Sequence, residues 1–218
     1  MKRVYFIYTT PAFYTALYQP VMSRYFAAHP ELEVRFMMDS SLLLDTLAND
    51  AQPTPAVERR LLHCAEFCQQ AGADVIVVGC TAVNTASKKI APMLDIPLIS
   101  VDEPMIQKVL ADGKKKIAVL SHTPINAMTI QRRLLAEDSS LEVALFSVAG
   151  AADAFNAEDI STYHSLMKAA AEGISKDFDA IVLGHISAED VDFSQVSLPV
   201  YKTGANCIAA MEAVLADK

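Results

Sequence analysis

Glycine is scarce, with seven in 218 residues. Neither the GxGxxG turn of a dinucleotide site nor the GxxxxGK[ST] phosphate loop occurs, so no glycine-built nucleotide cradle is expected. Basic clusters are missing as well. The formal net charge is -8, and the run Lys114, Lys115, Lys116 reads as a solvated turn before a strand. Nucleic acid is not an expected partner, because its phosphates need clustered Lys and Arg. No uninterrupted apolar run is long enough to span a bilayer, so no membrane contact is expected. The opening MKRVYFIYTTP reads as a first strand and lacks the long apolar stretch of a signal peptide. The expectation is a soluble cytoplasmic protein. The four cysteines, Cys64, Cys68, Cys80 and Cys207, do not form the paired CxxC clusters of a zinc site. In a reducing compartment they are expected as thiols rather than disulfides.

What is present is a hydrophobic chain written twice. Hydrophobic residues make up 52% of it, which argues against disorder. KRVYFIYTTP at 2–11 is answered by KKIAVLSHTP at 115–124, and LEVRF at 32–36 by LEVAL at 141–145. DVIVVGC at 74–80 is answered by DAIVLGH at 179–185, and IPLISV at 96–101 by LPVYKT at 198–203. Matches that recur in the same order indicate a duplicated unit. Runs such as VIVVG and AIVLG are short, continuous and β-branched, as strands buried on both faces are. Between them lie helical patterns. Residues 55–71 put Val57, Leu61, Leu62, Ala65 and Cys68 near one face, with Pro55 at the start and Gly72 past the end. Residues 159–175 behave similarly, and a last helix is expected over 205–216.

This alternation predicts an α/β protein with two pseudo-symmetric lobes, each a parallel sheet flanked by helices, and an active site in the cleft between them. The first lobe is expected to comprise residues 1–98 plus 205–218, and the second 99–204.

Ligands of open parallel sheets bind beyond the carboxyl ends of the strands. The polar and loop residues there are Thr9 and Thr10; Cys80, Thr81 and Ala82; Ser121 and Thr123; and His185, Ile186 and Ser187. Cys80 and His185 occupy the same place in the two repeats. Each precedes a predicted helix start, where free N–H groups favour an anion. The expected guest is a small carboxylate, held on the N–H groups of Thr81 and Ala82 and on hydroxyls of Thr10, Thr81, Thr123 and Ser187. The same position is expected to lower the pKa of Cys80. A thiol and an imidazole on opposite faces of one carbon suit proton removal and return without a cofactor.

The segment AGADVIVVGCTAVNTASKKIAPMLDIPLISVDEP resembles the first cysteine block of the aspartate/glutamate/hydantoin racemase superfamily. The matching elements are Gly79, Cys80, Asn84, Thr85, Ala86, Ser87, Pro97, Glu103 and Pro104. KKIAVLSHTPINAMT is similar to the segment that opens the family's second lobe. The resemblance implies a two-lobe fold and chemistry independent of pyridoxal phosphate, with two cysteines as acid and base. The superfamily also contains hydantoin and allantoin racemases, maleate isomerases and arylmalonate decarboxylases. The chain departs from it where the second block normally reads Leu-Gly-Cys and here reads Leu183, Gly184, His185. An imidazole can still donate and accept protons near neutrality.

The expected activity is a racemase or epimerase acting on an amino acid such as aspartate or glutamate, or on a hydantoin-like compound. Cys80 and His185 are its expected acid and base, and Thr10, Thr81, Ala82, Asn84, Ser121, Thr123, Ile186 and Ser187 its substrate-binding residues. A lyase or cis-trans isomerase using Cys80, and a non-catalytic ligand-binding protein, stand as alternatives. No metal is expected, because Cys64 and Cys68, beside His63, have no further ligands near in sequence, and Cys68 fits the apolar stripe. Cys207 is expected in the core. Tyr5, Tyr8, Phe13, Tyr14 and Tyr18 form an early aromatic cluster expected to serve packing. A homodimer is the default expectation for oligomeric state.

Overall fold

The computed structural model describes residues 1–216. The chain forms two compact units, Met1–Pro104 with the C-terminal helix from Gly204, and Met105–Thr203. Each unit carries a four-stranded sheet in which every pairing is parallel.

In the first unit the strands are β1 (Lys2–Tyr8), β2 (Leu32–Met38), β3 (Val75–Val78) and β4 (Leu98–Ser100), in the order β2-β1-β3-β4. In the second they are β5 (Lys116–Ser121), β6 (Glu142–Ser147), β7 (Ala180–Leu183) and β8 (Val200–Tyr201), in the order β6-β5-β7-β8. The matched sequence segments occupy matched strands, so the duplication read from the sequence is a duplication of topology.

The central pairs carry the core. Val4–Ile7 of β1 align with Val75–Val78 of β3, and Ile117–Leu120 of β5 with Ala180–Leu183 of β7. All sixteen of these side chains are buried, because helices cover both faces of each sheet. On one face of the first sheet, Ile7, Ile76 and Val78 meet Val57, Leu61, Ala65 and Cys68. Those four come from the helix Pro55–Gln70, which Thr54 caps through its hydroxyl and Pro55 starts. Gly72, just past that helix, adopts φ 82°, a conformation that favours glycine. On the other face Phe6 packs among Phe13, Tyr18, Phe26 and Phe36. Tyr8 stacks on Phe13 and Tyr14 on Tyr18 beside this group, while Tyr5 belongs to the core of the opposite face.

In the second unit one face joins Leu120, Ile181 and Leu183 to Tyr163, Met167 and Ala171 of the helix Ile160–Glu172. The other joins Ile117, Val119 and Val182 to Ile106, Val109, Ile130 and Leu134. Within the first unit, the Lys2 ammonium donates to the Leu215 carbonyl and ties the C-terminal helix to the start of β1. Among the described residues, no helix is long and apolar enough to cross a membrane.

Where the central strands end, there is no room for a side chain. A Cβ on Gly79 would lie 2.4 Å from the Phe13 ring, and one on Gly184 would lie 2.8 Å from Ser121 Cβ. Each glycine immediately precedes a candidate catalytic residue, so close packing sets where Cys80 and His185 begin. Gly184→Ala is expected to destabilise the protein by about 1–3 kcal/mol through overpacking. Calorimetry should show a fall of several degrees in Tm; an unchanged Tm would mean that Ser121 moves aside freely.

Candidate active site

β1 connects to β2 on one side of the sheet and β3 to β4 on the other, so the carboxyl ends of β1 and β3 form the switch point at which ligands of such sheets bind. Thr9 follows β1 and is buried; Cys80 follows β3. The Thr9 hydroxyl and the backbone N–H groups of Ala82 and Val83 lie near enough to the Cys80 sulfur to favour its thiolate, and the Val83 N–H donates to the Cys80 carbonyl at 3.3 Å. The two amides point back because Cys80 is extended (φ -145°, ψ 114°) and a 3₁₀ turn, Thr81–Val83, begins directly after it.

These donors do not win. Burial raises the Cys80 pKa, the three donors lower it by less, and the nearby carboxylate of Asp102 raises it again. The expectation of a lowered pKa is thus corrected: the helix-start donors are present, but desolvation of the thiolate outweighs them. At neutral pH the resting group is a thiol.

Asn84 opens the next helix, Asn84–Ile90, and its side chain has no solvent exposure. Neither its Nδ2 nor its Oδ1 has a hydrogen-bond partner in the protein. A buried amide in that condition costs about 1–3 kcal/mol per unsatisfied group, so it is poised for an outside partner. Thr81 and Ala82 are partly buried. Thr10 is partly buried as well and makes no capping bond to the helix that follows it.

The second unit has the same construction with different chemistry. His122 follows β5 and His185 follows β7. Their rings meet edge to face, with centroids 4.7 Å apart. Ser187 joins them: its hydroxyl lies 2.8 Å from His185 Nδ1, 2.7 Å from the Tyr163 hydroxyl and 3.3 Å from His122 Nδ1. The Ser187 N–H also donates to His185 Nδ1, at 3.2 Å. Burial, with His122 adding to it, pushes the His185 pKa down to about 3, and burial lowers that of His122 too. His185 is therefore neutral at physiological pH and does not titrate near it, in contrast to the sequence-based expectation.

The remaining candidates divide. Ser121 is buried and its hydroxyl accepts from the Thr123 N–H. Thr123 caps the helix Pro124–Glu137 by accepting from the Asn126 N–H. Ile186 is buried beside Ser187. Cys68 lies in the core, and among the described residues no group of His, Cys, Asp or Glu is arranged to hold a metal.

Three residues were missed as candidates, Asp102, His122 and Tyr163, while Thr9 was named among the strand-end residues without a role. A signal for His122 was available. Thr9 and His122 hold the same position in YTTP and SHTP, as Cys80 and His185 do in VGC and LGH. The repeat thus pairs Thr9 with Cys80 in one unit, and His122 with His185 in the other.

The sequence model of the Asp/Glu/hydantoin racemase family matches residues 8–185. No curated protein matches the chain in sequence. Among solved structures, an aspartate racemase homologue from Pyrococcus horikoshii OT3 is similar at a TM-score of 0.69 and 16% identity, covering 99% of this chain and 100% of that one. A glutamate racemase isoform from Bacillus anthracis is similar at 0.69 and 18% identity, covering 99% and 82%. An aspartate racemase from Picrophilus torridus is similar at 0.68 and 13% identity, covering 98% and 94%. At these identities the structural likeness bears on the fold.

Two outcomes are expected from the electrostatics. Alkylation of Cys80 by iodoacetamide, followed by peptide mass spectrometry, should have its pH midpoint above that of an ordinary thiol, about 8.5. Thr9→Val removes one of the donors that lower the pKa and should move the midpoint higher still; a midpoint at or below the ordinary value would contradict this electrostatic balance. The second outcome concerns stability. The unfolded chain protonates His185 below about pH 6.5, whereas the fold keeps it neutral down to about 3. Its contribution is complete above 6.5 and is lost as the pH falls, by about 2 kcal/mol between pH 7 and pH 5. His185→Gln should lose correspondingly less, as urea midpoints at the two pH values will measure.

Proposed function

The chain belongs to the Asp/Glu/hydantoin racemase family and is an isomerase, and from that premise we propose that it inverts the configuration at the α-carbon of a small carboxylate-bearing substrate. The substrate class is an amino acid such as aspartate or glutamate, or a hydantoin-like compound. Cys80 takes or returns the α-proton, and His185 is the second residue that contacts the substrate.

The observation that carries this reading is the environment of Cys80. A thiol that only filled the core would need no polar company. This one follows a central strand and has the Thr9 hydroxyl and the Ala82 and Val83 amides near enough to favour its thiolate against burial. Hydrogen-bond donors aimed at sulfur stabilise the thiolate, the form that removes a proton. Because the resting group is a thiol, the thiolate is a minor species whose formation the donors assist. The unpartnered carboxamide of Asn84, four residues on, offers both a donor and an acceptor to a polar substrate. Removing the α-proton sends charge onto the carboxylate, and fixed donors at that carboxylate lower the barrier.

The test is α-proton exchange in deuterated water, followed by proton NMR over aspartate, glutamate, hydantoins and small diacids, with chiral chromatography in parallel. Exchange with interconversion of enantiomers is expected on at least one compound. Cys80→Ala should slow it by about 10²–10⁴-fold. Exchange without interconversion, or release of carbon dioxide, would move the assignment to a lyase. No reaction across the panel, with intact folding, would remove the racemase reading for these compounds.

A further inference from the structure

His185 can contribute in two ways that differ in where its proton sits. With Nε2 bare, the ring is a base. With Nε2 protonated, it is an uncharged donor. The hydroxyls around it do not decide, since Tyr163, Ser187 and the ring can be chained in either direction. Tyr163 O–H can donate to Ser187 Oγ, and Ser187 O–H to His185 Nδ1; or Nδ1–H can donate to Ser187, and Ser187 to Tyr163. A backbone amide has no such freedom, because it is always a donor. The Ser187 N–H points at His185 Nδ1 from 3.2 Å, so a proton on Nδ1 would face another proton. A bare Nδ1 accepts from that N–H whether the Ser187 O–H turns to it or to His122 Nδ1, 3.3 Å away.

We propose that Ser187 is a positioning residue that holds His185 in its neutral, Nε2-protonated tautomer, so that the imidazole meets the substrate as a hydrogen-bond donor rather than as a cation or a bare base. This rests on the reading that His185 contacts the substrate. The ligand atom it suits is an acceptor, namely an oxygen of the substrate carboxylate or of the enediolate formed from it. Two donors on Nδ1 draw electron density from the ring and strengthen donation from Nε2. Among the described residues Nε2 has no partner in the protein, and the residue keeps part of its surface.

The groups facing the ring support a neutral state. From the end of β5 comes His122, whose own pKa is lowered by burial; from the helix Ile160–Glu172 comes Tyr163, raised to about 12; and Phe155 packs against both of these. None of them brings a carboxylate that would favour an imidazolium. An uncharged imidazole can polarise a carbonyl or carboxylate oxygen without first acquiring a proton.

The experiment is long-range ¹H–¹⁵N correlation NMR of the ¹⁵N-labelled full chain between pH 5 and pH 8. The chain has five histidines, and His185 is assigned by the resonances lost in His185→Gln. The expected result is a single set of shifts for a neutral ring protonated on Nε2, unchanged across the range. Ser187→Ala keeps the backbone N–H and should keep that signature, while Ser187→Pro, which removes it, should admit a fraction of the Nδ1-protonated form. A wild-type ring protonated on Nδ1, titration near pH 6.5, or a Ser187→Pro spectrum identical to wild type in a folded protein would each overturn the proposal. The tautomer is read without substrate, so its failure is distinct from failure of the racemase reading, which α-proton exchange reports.

Discussion

Two parallel strands that lie side by side and are buried on both faces must end side by side. That constraint governs each unit of this protein. β1 and β3 are held in register by residues with no room to shift, and so are β5 and β7. Whatever residue follows each strand is delivered to its neighbour's exit. Thr9 reaches Cys80, and His122 reaches His185, across 71 and 63 residues of sequence, by way of strand pairing. Gly79 and Gly184 complete the constraint, since a methyl group at either would push the strand end away from its packing partner.

Burial then acts on the two sites in opposite chemical senses with one electrical result. It raises the thiol and lowers the imidazole, because in both cases the charged form loses its hydration. Both groups rest uncharged at neutral pH. The N–H groups beside these side chains, those of Ala82 and Val83 near the sulfur and that of Ser187 on the imidazole, sit in short 3₁₀ turns.

Much of the fold was legible in the sequence, and for physical reasons. VIVV and AIVL are continuous and β-branched because helices cover both faces of their strands. The helix Pro55–Gln70 announced itself by Thr54, Pro55, its apolar stripe and Gly72. The segment Tyr14–Met22 did not, because Pro20 reads as a helix breaker. The structure carries the chain through as a π-helix, whose wider turns tolerate the missing N–H. At the sites, Cys80 and His185 were legible from the repeat. Tyr163 was not, since it meets Ser187 only through tertiary packing. The direction of the Cys80 shift was missed for a related reason: helix starts are local and visible in sequence, whereas desolvation depends on everything that surrounds the sulfur.

The matched pairs also bear on how such a site can change. The His185 ring fits edge to face against His122, and both share Ser187. A cysteine at 185 is much smaller than an imidazole and would leave His122 beside a gap, with Ser187 short of a partner. Threonine at 122 would restore the hydroxyl that Thr9 supplies in the first unit. The unit of side-chain fit here is therefore two residues wide, one from the end of each central strand, so a change at 185 is felt at 122.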